Sequence, residues 1–359
     1  MNTFQRLLAA LFLLGGSLAL IGTALQDEAK RVELPPPHVP APVHDGRPEM
    51  LEGWESMECA DCHREIASEW AGTLHAMAWV DPTYQDAIAN KRRPQSCYGC
   101  HIPQPLNLSA FGGKPRPRNP ETTPSDETRH HGVSCLSCHL GPDDTMLGPY
   151  ESDPENEISP AHKSKKGEAF GGKLGDALCI NCHRTNVGPV IGIAKDFEVT
   201  RQADKGLSCV GCHMSEVERS AAVETLEDGT TKASPVRLGR SHALQTPRDP
   251  AFLAEAFGLD AQTTATGAEL LITNQAAHRV PGLKSRSMTF VVKSLDGAGE
   301  VLGEATLVID SRAYLPVDGL LPIAVASKTA PAKLEVVATH DWTGVKAPVE
   351  FINKVIELK

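Results

Sequence analysis

Residues 59–84 read CADCHREIASEWAGTLHAMAWVDPTY, and this stretch decides how the rest of the chain is read. It opens on Cys59 and Cys62 with His63 directly after the second thiol, and the same CxxCH pattern returns four more times. Cys97 and Cys100 precede His101, Cys135 and Cys138 precede His139, Cys179 and Cys182 precede His183, and Cys209 and Cys212 precede His213. All 10 cysteines fall in these motifs. With 10 Cys and 14 His in 359 residues, about 0.01 such matches would arise by chance, so their recurrence is a strong signal. A disulfide framework requires no histidine after each pair, a structural zinc site needs two pairs converging on one ion, and a thioredoxin-like CxxC would occur once.

Covalent haem attachment is the chemistry that does need this spacing. Two thiols three residues apart add to the two vinyl groups on one side of a porphyrin, and the next histidine supplies an axial nitrogen to iron. The sequence therefore implies five covalently bound haem c groups, with His63, His101, His139, His183 and His213 as proximal iron ligands. Motif starts lie 38, 38, 44 and 30 residues apart, segments too short to bury cores of their own. Aromatic residues are only 5%, so porphyrin rings are expected to fill much of the interior. A chain that is 41% hydrophobic and 22% charged is not disordered throughout. Its net charge of −10 leaves no basic surplus for a phosphate backbone, which argues against a nucleic-acid partner.

Residues 7–24 form an apolar run behind Arg6. Two readings stand: a secretory signal peptide cleaved near Ala24, or an uncleaved membrane anchor, since about 17 apolar residues suffice to span a bilayer. Both place the mature chain in the periplasm or another extracytoplasmic space, where c-type haem is attached, the second with a tether to the inner membrane. Residues 1–26 are assigned to this segment and 27–55 to a linker, with six prolines between Glu33 and Met50. His38 and His44 read as solvated linker side chains. Ile66, Trp70, Leu74 and Met77 recur at helical spacing and predict one helix up to a stop at Asp81 and Pro82. Residues 114–124 are a Pro-rich loop. Beyond about Asp260, residues 268–273, 288–293, 304–309, 333–339 and 349–358 predict short strands. The expected architecture is a mostly α, loop-rich multihaem domain over residues 56–256, organised around five covalent haems, then a β-sandwich over 257–359.

The remaining histidines are candidates for the second axial positions. His75 lies 12 residues after His63, which in one helix is about 18 Å along the axis, so the two cannot hold the same iron. His75 is expected to serve another haem. His130 and His131 sit too close to Cys135 to wrap over the ring anchored there. His130 is a candidate for the haem of His101, with a surface or proton-relay role as the alternative, and His340 in ATHDW reads as structural. Arg129, Lys163, Lys165 and Lys166 either pair with haem propionates or form a solvated basic loop.

The ordered set of pieces resembles the cytochrome c-554 family. The carrying residues are the 59–84 stretch, SCYGCH at the second motif, GVSCLSCHLGP at the third, His162 and Lys163 in SPAHKSKKG, and CINCH at the fourth, together about residues 56–184. The resemblance implies that His162 faces the haem of His63, that His75 faces the haem of His139, and that the haem of His101 lacks a strong sixth ligand. The fifth motif and the carboxyl-terminal segment depart from that family. The latter is similar to an appendage of other multihaem cytochromes, in which a strand ending in Asn is followed by a His and a Pro; here these are Asn274, His278 and Pro281. By this likeness His278 reaches back to a haem, and His242, in GRSHALQTPRDPAFL, resembles another ligand-bearing stretch. The two are assigned to the last two haems with no pairing fixed.

The expected function is single-electron transfer along a chain of mostly bis-His haems in a respiratory pathway, with redox partner proteins as donor and acceptor, neither identified by the sequence. Two alternatives belong to other classes. One is a redox enzyme acting on a small nitrogen or sulfur compound at an open iron at His101, with Arg129, His130 and His131 as proton donors, although no CxxCK motif is present. The other is a subunit of a membrane-associated respiratory complex that docks through its β segment.

Overall fold

The computed structural model describes residues 50–89, 91–103, 129–151, 162–171, 175–187, 191–343 and 345–358. The apolar run at 7–24, nearly all of the linker with His38 and His44, and the 114–124 loop lie outside them. Among the described residues no helix is long and apolar enough to cross a membrane.

The motif-bearing half is a set of short helices joined by irregular chain: α1 (Arg64–Ala71), α2 (Pro82–Ala89), α3 (Gln95–His101), α4 (Cys135–His139), α5 (Ala177–His183), α6 (Ile193–Val199), α7 (Cys209–His213) and α8 (Pro250–Ala254). Four of the motifs end one of these helices on their histidine; the first begins in the 3-10 turn Glu58–Asp61, which Cys62 closes, and His63 caps the start of α1. A helical turn sets residues three apart on one face, so both thiols of a motif point the same way. Serines start two of these turns: Ser134 and Ser137 form a capping box on α4, and the Ser208 side chain accepts from Gly211 N at 2.8 Å on α7.

The helix expected to run to Asp81 stops at Ala71. Thr73 Oγ1 donates to Trp70 O at 2.7 Å and accepts from Ala76 N at 3.2 Å, competing with the helical ladder. The chain turns there and resumes as the 3-10 turn Ala76–Ala78. Leu51, Trp54, Met57, Ala60, Ala67, Trp70, Ala71 and Ala76 bury one another in a small cluster, which Trp70 Nε1 ties to Val133 O at 2.8 Å.

Three short strand pairs accompany the helices. β1 (Thr145–Gly148) runs parallel to β2 (Lys163–Lys166), β3 (Glu216–Ser220) is antiparallel to β6 (Val236–Arg240), and β4 (Val223–Thr225) to β5 (Thr231–Ala233). Lys163, Lys165 and Lys166, candidates for propionate contacts or a basic loop, are exposed strand residues of β2.

The β-rich remainder holds β7 (Phe257–Thr264), β8 (Gly267–Asn274), β9 (Arg286–Leu295), β10 (Val301–Ile309), β11 (Leu320–Ala326), β12 (Lys333–Trp342) and β13 (Val349–Glu357). They form two antiparallel sheets, ordered β10-β9-β12-β13 and β11-β8-β7. Side chains alternate along β9 and β12, so every second residue is buried. Met288, Phe290, Val292, Leu334, Val336 and Ala338 of one sheet join Leu270, Ile272, Ile323 and Val325 of the other in a single core. The two regions of the chain are tied by ion pairs: Asp196 of α6 to Arg279 at 2.6 Å, and Lys205 to Asp318 at 2.6 Å.

Candidate haem sites

Four pairs of imidazole rings meet across the fold. His63 faces His162 with ring centroids 6.2 Å apart, His75 faces His183 at 6.2 Å, His139 faces His242 at 6.1 Å, and His213 faces His278 at 6.4 Å. In each pair one histidine belongs to a CxxCH motif and the other does not. A metal–imidazole bond is about 2.0 Å and the ring centre lies about 1.2 Å further, so two imidazoles on opposite sides of one iron are separated by about 6.4 Å. Each gap is therefore of the width one axially ligated iron takes up, and the donor set fits haem.

Hydrogen bonds orient the rings. Nδ1 of His63 donates to Ala221 O at 2.7 Å, that of His139 to Leu147 O at 2.7 Å, and that of His213 to Gln245 O at 2.7 Å. His242 and His278 donate likewise to Arg240 O at 3.0 Å and Arg279 O at 2.9 Å. A carbonyl only accepts, so Nδ1 carries the proton and Nε2 keeps its lone pair for a metal. Burial, the largest influence on each, pushes His75, His242 and His278 down to about 4. They are neutral at physiological pH, the form that ligates.

The motifs also adjoin one another. The Cys59 thiol is lowered chiefly by its hydrogen bond with Cys135, whose own thiol is raised; Cys179 and Cys209 are paired in the same manner. Burial first, and then the charge of Cys179, raises Cys138 to about 12. Cys182 Sγ approaches Gly99 O at 3.8 Å. The motifs thus run first, third, fourth, fifth in space, with the second against the fourth.

His101 differs from the other four. Its Nδ1 donates to Ala78 O at 2.6 Å, but the ring beside it is Tyr84, stacked at 3.7 Å and 10°. The Tyr84 hydroxyl is buried without a hydrogen-bond partner among the described residues. Trp79 packs on both Tyr84 and Tyr98, and the Arg129 guanidinium lies 5.3 Å from the Trp79 ring centre. His130 is exposed and packs edge-on against His131 at 4.0 Å. The structure brings no imidazole onto His101 among the described residues.

Two partnerships differ from those the resemblance implied. His75 lies against His183 and not His139, because the chain turns at Gly72 and carries His75 off the line of α1. His242 lies against His139 and not one of the last two motif histidines, because Glu69 of α1 accepts its backbone N–H at 2.7 Å and holds the loop beside the first motif. Glu69 is fixed in turn by Arg219 on β3, whose two terminal nitrogens reach it at 2.6 and 2.9 Å. Tyr84, Glu69 and Arg219 were not singled out by sequence reasoning. Tyr84 closes the decisive stretch itself, but nothing in residue spacing signals a stack on a histidine 17 positions on.

Comparison with known proteins bears on the class. Residues 58–140 match the family model described as cytochrome c554 and c-prime. No curated protein matches the chain. Among solved structures the fold is similar to that of a penta-heme cytochrome c552 from Thermochromatium tepidum, with a TM-score of 0.55 and 17% identity, over 83% of this chain and 97% of that one. The segment bearing the first three motifs is thus similar to cytochrome c554 and c-prime, and the fold is similar to that of a multihaem cytochrome.

Proposed function

We propose that the chain is an exported pentahaem cytochrome that relays single electrons in a respiratory pathway through five covalent haems, four of them held between two histidines. The observation that carries this reading is the set of four imidazole pairs at 6.1–6.4 Å, each joining a motif histidine to a distant one. Bound haem supplies one-electron exchange at iron. The chain's own residues supply the rest: the ten cysteines anchor, the backbone carbonyls at Ala221, Leu147 and Gln245 orient the proximal rings, and burial keeps the rings of His75, His242 and His278 neutral. Two imidazoles on one iron close it to substrates, so such sites conduct. In this reading residues 257–359 are a β-sandwich domain that contributes His278, and residues 56–256 are the haem domain. We read the motif order in space, first, third, fourth, fifth with the second against the fourth, as supporting a path in that sequence. Mass spectrometry of the mature protein should find five thioether-linked haems, and magnetic resonance should count four low-spin irons and one high-spin. Haem-free protein, or a majority of high-spin irons, would overturn it.

A second reading rests on His101. With Tyr84 stacked beside its ring and no imidazole opposite among the described residues, this site is the place for an open iron reacting with a small nitrogen or sulfur compound. The Arg129 guanidinium lies against Trp79, itself packed on Tyr84, and His130 and His131 follow in the same 3-10 turn as candidate proton donors. Turnover of nitrite, hydroxylamine or tetrathionate by the purified protein would favour it, and no turnover of any would leave transfer alone.

A further inference from the structure

One short run of chain, from Ala78 to Tyr84, meets the histidine of the second motif twice. The carbonyl of Ala78 accepts from His101 Nδ1 at 2.6 Å. The Tyr84 ring lies on the face of the same imidazole, with centroids 3.7 Å apart and planes 10° from parallel. The first contact fixes the direction of the imidazole within its own plane, and the second fixes the plane. His139 meets Phe170 at 4.8 Å and 26°, and His213 meets Phe252 at 5.2 Å and 63°, so neither is held as closely or as flat.

Tyr84 is itself held in place. It sits in the first turn of α2, where its backbone N donates to Asp81 Oδ1 at 2.9 Å, and it is only 9% exposed. Trp79 packs beside it at 5.8 Å and meets Tyr98, which stands between the two thiols of the second motif, edge-on at 5.3 Å. The Gln85 side chain donates to Trp79 O, which ties that indole's backbone to α2. Spacing also tells which side of an iron the phenol occupies. Imidazoles across one iron stand about 6.4 Å apart, whereas rings at 3.7 Å are in van der Waals contact, with no room for an atom between them. Tyr84 therefore shares the side of His101 and does not fill the opposite axial position.

We propose that Tyr84 is a positioning residue for the His101 iron, its ring locking the motif imidazole at the angle set by the Ala78 carbonyl. The inference rests on the haem reading above. At the four paired sites a second imidazole shares control of the iron. At this one, with no imidazole opposite among the described residues, His101 is the ligand through which the chain acts, and its orientation matters more. A hydrogen bond at Nδ1 makes Nε2 a stronger donor, which favours ferric iron; an imidazole free to turn would lose part of that bond.

The test uses the purified, haem-loaded protein and its Tyr84→Leu, Tyr84→Phe and Trp79→Leu variants, compared by mass spectrometry, spectroscopic redox titration and low-temperature magnetic resonance. All should carry five haems. Tyr84→Leu keeps apolar bulk and removes the stack, so it should move one midpoint to more positive potential, broaden the high-spin signal and leave the other midpoints in place. Tyr84→Phe keeps the ring and should match the parent in both readouts. Trp79→Leu, which removes the indole beside Tyr84, should shift the same midpoint in the same direction by less. A role in packing alone would lower the stability of Tyr84→Leu and leave every midpoint and the high-spin signal unchanged; that result, with five haems present, would overturn the proposal and leave the haem reading intact. Tyr84→Phe behaving like Tyr84→Leu would also overturn it, since the hydroxyl and not the ring would then be acting. Haem-free protein would remove both readings. If Tyr84→Leu does not fold, Trp79→Leu carries the same comparison.

Discussion

Asp196→Asn tests how the β region's distal histidine is held. The Asp196 carboxylate accepts from Arg279 at three points: its backbone N at 3.2 Å, Nε at 2.6 Å and a terminal nitrogen at 2.7 Å. Arg279 directly follows His278, so the pair fixes the backbone that presents the ring to His213. The two side chains are 15% and 29% exposed, between a surface pair worth about 0–1 kcal/mol and a buried pair whose disruption costs about 3–5 kcal/mol. Asparagine keeps one acceptor and loses the charge, so we expect a loss of about 2 kcal/mol, roughly a thirtyfold change in the folding equilibrium. Denaturant unfolding should show a lower midpoint with unchanged slope. Burial would raise the Asp196 carboxyl, but the Arg279 side chain and backbone N–H outweigh it and hold it below its ordinary 3.8. A carboxyl lowered in the folded state stabilises fully above its unfolded value, about pH 4, and loses that contribution as pH falls through the folded one. Parent and variant curves should therefore differ at neutral pH and converge in acid. Equal midpoints at neutral pH, with the low-spin signal intact, would refute the clamp.

Gly132→Ala should cost at least about 1–2 kcal/mol, because the residue has φ of +56° and a Cβ there would stand 2.6 Å from His75 O; magnetic resonance should show an added high-spin iron as His75 is displaced. Phe290→Ala, at a fully buried position between the two sheets, should lower stability by about 3–5 kcal/mol in denaturant unfolding. Tyr84→Phe should retain the stack on His101 and stay within about 1 kcal/mol of the parent, since its hydroxyl has no hydrogen-bond partner among the described residues, whereas Tyr84→Ala should cost about 3 kcal/mol. Ser208→Ala removes the cap that accepts from Gly211 N and should cost about 1 kcal/mol, read by thermal unfolding.

Local pattern made the motif residues legible, since a thiol pair and its histidine fit within one helical turn and need nothing from the rest of the chain. Strands expected at 268–273, 288–293, 304–309, 333–339 and 349–358 correspond to β8, β9, β10, β12 and β13, whose alternation is strong because one face is buried. β7 and β11 escaped notice. β7 exposes Asp260, Gln262 and the two threonines that end it, and β11 carries Pro322, which only an edge strand tolerates. The distal partners were the least legible part. His75 and His242 were recognised as ligand candidates, but which motif each meets depends on a turn at Gly72 and on a carboxylate at Glu69, neither of which follows from spacing.

The hydrogen bond from His63 to Ala221 spans 158 residues, and those from Arg219 and His242 to Glu69 span 150 and 173. The leading motif is thus aligned by the trailing hairpin. In the haem reading, a chain emerging from its amino terminus can receive its first prosthetic group early, yet that group stays loosely aimed until more than half of the whole polypeptide has emerged. A truncation before Arg219 would be expected to leave the foremost centre attached and misoriented, the earliest made and the last to be set.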